Sequence, residues 1–241
     1  MIQKVILSTN DILYEILLWL ISIPKTFIRV ASSVRWAHNY IDRELIKEID
    51  SQFDEYTPPI IFFLLLAVVP AVSSIPLLAR LEEEGDFLMQ TLLQLNLESK
   101  FLVASVFMAA WPLAASIVIQ KLKHEPVSRS GLRNGFYTQA YLFGTVAPFV
   151  FLSIPGQSII QNNDAPQWLK GLFLIPSVYT TWFLYQEYIL VRDQLNRSAL
   201  KSIGIVTLIF FSGFGLVLIA EIMVLIALGI IAFSSGFPYI K

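Results

Sequence analysis

The sequence contains no cysteine and only two histidines among its 241 residues. The absence of cysteine excludes disulfide bonds, thiolate catalysis and cysteine-based metal sites. His38 and His124 lie outside the long apolar segments, and neither has a companion residue at the spacing of metal ligands. The sequence also has no nucleophile elbow, no glycine-rich phosphate loop and no basic-aromatic patch. It therefore predicts no cofactor and no metal, and it argues against an enzyme and against nucleic-acid binding.

Charged residues are also scarce, since they make up 15% of the chain where soluble proteins carry about 25%. Hydrophobic residues make up 56% and are concentrated in long stretches. Each stretch is long enough to cross a hydrocarbon core of ~30 Å as a helix. We predict an all-α polytopic membrane helical bundle, in which residues 1–57 precede a five-span transmembrane domain, 58–241. The predicted spans are 58–79, 101–120, 136–155, 168–190 and 203–233.

The lysines and arginines are distributed unequally between the two sides that these five spans define. Thirteen of the 17 fall on the side of the N-terminus. By the positive-inside rule, the N-terminus is predicted to be cytoplasmic and the C-terminus to lie across the membrane. We expect a bacterial inner membrane rather than the endoplasmic reticulum or Golgi. One cytoplasmic loop carries four candidate contacts for anionic lipid headgroups, Lys121, Lys123, Arg129 and Arg133.

The region before the first span contains a short apolar segment, residues 12–23. A segment of this length is more often interfacial than spanning. Its polar residues fall near one helical face, so we predict an amphipathic helix that lies at the cytoplasmic surface and ends at Pro24. Leu17 and Leu20 are candidate partner contacts on this helix. The alternative is that the segment forms a sixth, tilted or re-entrant span.

A second amphipathic segment follows, from Thr26 to Phe53. Apolar residues recur along it at every third or fourth position, and charges of both signs occupy the positions between them. The apolar stripe includes Ile41, Leu45 and Ile49, which are candidate contacts for a partner protein or for the membrane surface. The alternative is that the stripe packs on the chain's own spans.

The segment directly before the first span reads Asp54-Glu55-Tyr56-Thr57-Pro58. It resembles the Asp-Leu-Tyr-Gly-Pro signature that precedes the first span in the Yip family (Ypt-interacting proteins). Asp54, Tyr56 and Pro58 match that signature, whereas Glu55 and Thr57 replace its Leu and Gly. Physical chemistry gives these residues structural roles as well. Asp54 is suited to cap the first span, Tyr56 to lie at the headgroup level, and the proline to begin a helix.

The third predicted span adds to this resemblance. Tyr141, Gly144 and Pro148 are similar to a Gly, Tyr and Pro pattern that the Yip family carries at this position. The resemblance implies a cytosolic N-terminal region, five spans and a short C-terminal tail on the far side. It covers the chain from Asp54 to the end.

Glu221 is an acid inside the last predicted span. An acid within the hydrocarbon is costly and is a functional candidate by default. We expect Glu221 to form a polar contact between helices, with Ser73, Ser74 or Tyr179 as its partner. A proton or substrate site is the alternative.

The sequence leaves two functions open. The first is a non-enzymatic membrane organiser or complex subunit, acting in trafficking, lipid handling or recruitment through its N-terminal helices. The second is a small permease that uses its proline-containing spans and the acid at Glu221. The expected partners are membrane lipids together with a protein, which is either a different chain or a second copy.

Overall fold

The computed structural model describes residues 9–81, 87–161 and 175–234. Helices make up 88% of this part of the chain, and it contains no strand, as predicted for an all-α protein. A 3₁₀ turn, Ile49–Ser51, lies between the second and third helices. The helices are α1 (Thr9–Ser32), α2 (Val34–Ile46), α3 (Pro59–Phe63), α4 (Val69–Leu81), α5 (Phe87–Gln94), α6 (Leu97–Leu122), α7 (Arg129–Gln161), α8 (Ile175–Leu195) and α9 (Ala199–Ser234).

Three helical segments are long and apolar enough to cross a membrane, judged by length and composition. They are Pro59–Pro76, Leu97–Leu122 and Ala199–Ile226, and they correspond to the first, second and fifth predicted spans. The third predicted span falls on α7. Residues 175–190 of the fourth fall on α8, and residues 168–174 lie outside the described ranges. In their described parts, helices α7 and α8 carry five buried polar side chains, namely Thr138, Gln139, Thr145, Gln186 and Glu187.

The first helix differs from the prediction, which ended it at Pro24. Helix α1 continues through Pro24 to Ser32, so that prediction was wrong. Proline removes one backbone hydrogen bond and usually bends a helix, but contacts on both sides can keep the helix continuous. The chain turns instead at Ser33, whose hydroxyl accepts a 3.3 Å hydrogen bond from the Trp36 amide and caps α2.

Helices α3 and α4 form one continuous rod through a π-helical turn, Leu64–Val68. This turn ends two residues before Pro70. A proline ring clashes with the carbonyl one turn earlier in a regular α-helix, and a widened turn accommodates it. The rod begins at Pro59, which occupies the first helical position, where its missing amide has no partner to lose.

Helix α7 is the centre of the bundle. It contacts α1, α2, α3, α4, α6 and α8. Glycine permits the closest of these contacts: a Cβ added at Gly144 would lie 2.9 Å from the Phe62 ring. Residues from α1, α2 and α3 pack with α7 in one apolar cluster, while residues from α6, α8 and α9 pack with it in another. The N-terminal helices are therefore part of the bundle and pack against its central helix.

Candidate functional site

A network of hydroxyl groups joins α1, the start of the first span and α7. It consists of Ser22, Thr26, Thr57 and Tyr141, which we call the hydroxyl network. The Ser22 and Thr57 hydroxyl oxygens are 2.7 Å apart. The Thr57 amide donates to the Thr26 hydroxyl at 3.0 Å, and the Tyr141 hydroxyl donates to the Thr57 carbonyl at 2.6 Å. Thr26, Thr57 and Tyr141 are fully buried. This network fixes α1 against the central helix.

The network brings together the two segments on which the expected resemblance to the Yip family depends, Asp54–Pro58 and the part of α7 that contains Tyr141. Tyr141 bonds to the backbone of the Asp54–Pro58 segment, and its ring lies 5.4 Å from that of Phe62 in an edge-on contact. Gly144 faces the same phenylalanine. The residue that makes the polar connection is Thr57, one of the two positions where this chain differs from the signature.

The three residues that match the signature, Asp54, Tyr56 and Pro58, differ in their exposure and in their contacts. Asp54 is exposed, and α3 begins with Pro58 at its N-cap and no side-chain cap. The expected capping role of Asp54 is therefore wrong, because the helix starts too far along the chain. Tyr56 is half-buried, with Trp36 4.7 Å away and the Lys25 ammonium 4.2 Å over its ring.

The chain between α2 and the first span is held by a buried carboxylate. Glu44 is buried and accepts two hydrogen bonds of 2.6 Å, one from the Phe53 amide and one from the Lys47 ammonium. Phe53 has a positive φ of 65°, a strained conformation for a phenylalanine. The hydrogen bond that the Phe53 amide donates to Glu44 stabilises this turn and directs the chain into the first span.

Helix α8 binds the corner between α1 and α2. The Trp182 indole donates to the Ala31 carbonyl at 3.1 Å, and the Gln186 side chain accepts from the Val34 amide at 3.3 Å. Arg35 and Asp193 form a bidentate ion pair nearby. The corner thus has a polar contact to α8 on each side of Ser33.

His38 lies where α2, α7 and α8 meet. Its ring is within 3.3 Å of the Thr138 hydroxyl and 3.4 Å of the Gln194 amide, and 3.6 Å from the Asp42 carboxylate. Asp42 also accepts a hydrogen bond from Asn134 of α7. Burial lowers the pKa of His38, an effect that the negative charge of Asp42 opposes.

A buried acid and amide pair lies deeper in the bundle, between α7 and α8. The Gln139 amide nitrogen donates to Glu187 Oε2 at 3.1 Å, and the two residues are 0% and 1% exposed. The other carboxylate oxygen, Glu187 Oε1, and the amide oxygen, Gln139 Oε1, are both buried without a hydrogen-bond partner. The sequence-based predictions missed this pair, although the rule that selected Glu221 applies equally to Glu187, since it is also an acid inside a predicted span.

Glu221 itself is half-buried in α9. Its expected partners are engaged elsewhere: Ser73 and Ser74 donate to carbonyls of their own helix, and Tyr179 stacks on Phe149 at 3.5 Å. In the part of the chain that the structure describes, none of the three forms the expected contact with Glu221.

The five candidate partner residues fall into two groups. Ile41 is fully buried, and Leu45 is packed against the same cluster. These two follow the alternative in which the stripe packs on the chain's own helices, so Ile41 cannot serve as a partner contact. Leu17, Leu20 and Ile49 are exposed, at 57%, 53% and 81%.

The basic residues proposed for headgroup contact, Lys121, Lys123, Arg129 and Arg133, are all exposed. Arg133 also donates to the Gln52 side chain at 3.1 Å. Among the residues with described side chains, no three His, Asp or Glu groups lie close enough to hold a metal ion.

Comparisons with known proteins do not assign a family: no family model matches the sequence, no curated protein matches it, and no solved structure matches the fold.

Proposed function

We propose that the protein is a non-enzymatic integral membrane organiser, a multi-pass bundle that presents its N-terminal helix to a partner protein. In this proposal α7 and α8 are the third and fourth of five spans, and the N-terminus is cytoplasmic. The buried polar residues of α7 and α8 support their assignment as spans, because polar side chains in a membrane helix face the bundle interior.

The observation that carries the proposal is an exposed apolar surface on the first half of α1. It consists of six large side chains that are 41–75% exposed, and we call it the α1 patch: Tyr14, Ile16, Leu17, Leu18, Leu20 and Ile21. Contiguous exposed apolar surface of this kind marks a site of protein or membrane interaction. The described residues of the chain leave it uncovered.

The other half of the same helix explains why the α1 patch suits a partner protein. Thr26 is buried in the hydroxyl network, and the Trp182 indole binds the carbonyl of Ala31. These contacts fix the direction in which α1 leaves the bundle. A helix that presents exposed apolar side chains is a common recognition element, and pre-organisation lowers the entropic cost of binding.

The test replaces Leu17 and Leu20 together by glutamate. We expect loss of the partner, or of self-association, while the spans still insert. The matched control is Ile46→Glu, which introduces the same charge at an exposed isoleucine outside the α1 patch. Because the chain has no cysteine, Leu17→Cys gives a unique crosslinking site that distinguishes a different protein from a second copy. An unchanged complex in the double variant contradicts the proposal, as does release of the segment with the complex intact.

The second candidate, a small permease, is favoured by one observation, the buried pair of Gln139 and Glu187. The pair replaces Glu221 as the acid on which transport would depend. The organiser is the better supported of the two, because Glu187 is only 1% exposed and a transport site must be reached by its substrate.

A further inference from the structure

The pair of Gln139 and Glu187 leaves two buried oxygens without a hydrogen-bond donor, and the organiser function does not explain this arrangement. An ionised carboxylate has two acceptor oxygens and no donor, and a glutamine amide has one acceptor and one donor group. The single bond between the two side chains uses Glu187 Oε2 and leaves both Oε1 atoms buried without a partner. A buried acceptor without a donor loses the hydrogen bonds that water gave it, so each of these oxygens destabilises the fold.

Turning the Gln139 amide over does not remove the problem. The assignment of its oxygen and nitrogen follows from the hydrogen-bond network, and the opposite assignment brings the amide oxygen against Glu187 Oε2. Two acceptors would then be in contact with no hydrogen between them. Either orientation therefore lacks one donor.

We propose that Glu187 is a proton-binding site and that its carboxyl group is neutral in the folded protein. A proton on Glu187 supplies the missing donor. The carboxylic acid donates to the Gln139 oxygen while the Gln139 nitrogen donates back to the acid, so the two planar groups form a reciprocal pair. Glu187 Oε1 and Gln139 Oε1 then both take part in a hydrogen bond, and α7 is joined to α8 by two hydrogen bonds rather than one.

The positively charged groups on the helices around α8 have other partners or lie at the surface. Arg35 pairs with Asp193, and His38 contacts Asp42 and Thr138. Lys121 of α6 and Lys201 of α9 are exposed. None of these groups makes an ion pair with Glu187. A bound proton removes the negative charge that would otherwise be buried without a partner.

The site has a consequence for the N-terminal helices. Gln186, the residue next to Glu187, accepts the hydrogen bond from the first amide of α2. Loss of the proton weakens the contact between α7 and α8 at the position where α2 is bound. The proton therefore stabilises the framework on which α1 and α2 rest. Proton binding at Glu187 does not depend on the organiser proposal.

Infrared spectroscopy of the purified full-length protein tests the proposal directly. A neutral carboxylic acid has a carbonyl stretch that ionised carboxylates lack, and the band shifts in D₂O. We expect wild type at neutral pH to show this band, Glu187→Gln to lose it, and Glu221→Gln, the matched control, to retain it. Glutamine has the shape of the neutral acid and keeps a reciprocal pair with Gln139, so Glu187→Gln is expected to fold.

A second variant gives an independent readout. In Gln139→Leu the acid loses its amide partner, and its carbonyl band is expected to move to higher frequency. A band that is unchanged in Glu187→Gln overturns the proposal. A carbonyl band that is absent from wild type also overturns the proposal. If the band then appears when Na⁺ and K⁺ are removed, Glu187 binds a cation instead of a proton.

Discussion

The Tyr141 hydroxyl donates a 2.6 Å hydrogen bond to the carbonyl of Thr57, a residue 84 positions earlier in the chain. Tyr141 is in the middle of the central helix, and Thr57 is the last residue before the two prolines that begin the first span. The bond lies in a fully buried environment and connects the Asp54–Pro58 segment to the third predicted span. It fixes where the chain enters the bundle.

The first prediction removes this bond. Tyr141→Phe keeps the ring and its edge-on contact with Phe62 but leaves the buried carbonyl of Thr57 without its donor. We expect a loss of about 1–3 kcal/mol in the free energy of unfolding, measured by tryptophan fluorescence during thermal unfolding in detergent. Tyr185→Phe is the control, because Tyr185 is exposed. Equal stability of the two variants contradicts the prediction.

The second prediction concerns two glycines in α9. A Cβ at Gly213 would lie 2.7 Å from the Trp111 ring of α6, whereas a Cβ at Gly215 would meet nothing within 4 Å. Gly213→Ala is therefore expected to separate α9 from α6 and cost about 1–3 kcal/mol through overpacking. Gly215→Ala is expected to be neutral or to stabilise the helix by about 0.5–1 kcal/mol. The unfolding midpoints of the two variants are measured under the same conditions. A larger loss of stability in Gly215→Ala than in Gly213→Ala would refute the close contact between α9 and α6 at Gly213.

The third prediction is a pH dependence that arises at His38. Burial lowers the pKa of His38 below its unfolded value of 6.5. The folded protein consequently binds fewer protons than the unfolded chain as the pH falls below that value, so stability is lost on acidification and is fully present above it. Between about pH 7 and about pH 5, we expect the midpoint of thermal unfolding of wild type to fall relative to that of His38→Gln, a comparison in which the proton on Glu187 is common to both proteins. A steeper fall in the variant would show that Asp42 outweighs burial at this site.

The fourth prediction concerns topology and follows from the division of the 17 lysines and arginines into 13 and four. In single-cysteine variants, Arg129→Cys and Arg197→Cys are expected to react with a membrane-impermeant maleimide only from the cytoplasmic side. Asn163→Cys is expected to react only from the opposite side. Reaction of position 163 from the cytoplasm would exclude five spans in the proposed orientation.

Hydropathy was sufficient to predict the helices that are apolar over most of their length. The first, second and fifth predicted spans coincide with the three described segments that are long and apolar enough to cross a membrane, although the helices α6 and α9 extend beyond the predicted ends. The ends were missed because a helix continues into polar surroundings as long as its backbone is capped. Asn96 illustrates this, since its side chain accepts from the Ser99 amide at 2.8 Å and begins α6 four residues before the predicted span.

The candidate site was less accessible to prediction from sequence, because it depends on which residues of distant segments meet. The periodicity from Phe27 to Phe53 grouped Ile41, which is buried, with Ile49, which is 81% exposed, because periodicity does not say what covers each residue. Ile41 is covered by the chain's own helices, and Leu17 is not. Glu187 could have been selected as an acid inside a predicted span, but its pairing with Gln139, a neutral residue 48 positions away, could not be predicted from the sequence.

The corner between α1 and α2 has a consequence for the order of biosynthesis. Ala31 and Val34 obtain their partners from Trp182 and Gln186, which are 151 and 152 residues further along the chain. At about 5–20 residues per second, translation reaches those partners on the order of ten to thirty seconds after the corner has been made. During that interval the α1–α2 corner lacks its contacts with α8. The N-terminal helices of a nascent chain are therefore completed only after α8 has been synthesised, so a chain truncated before α8 is expected to lack the contacts that hold the corner between its first two helices.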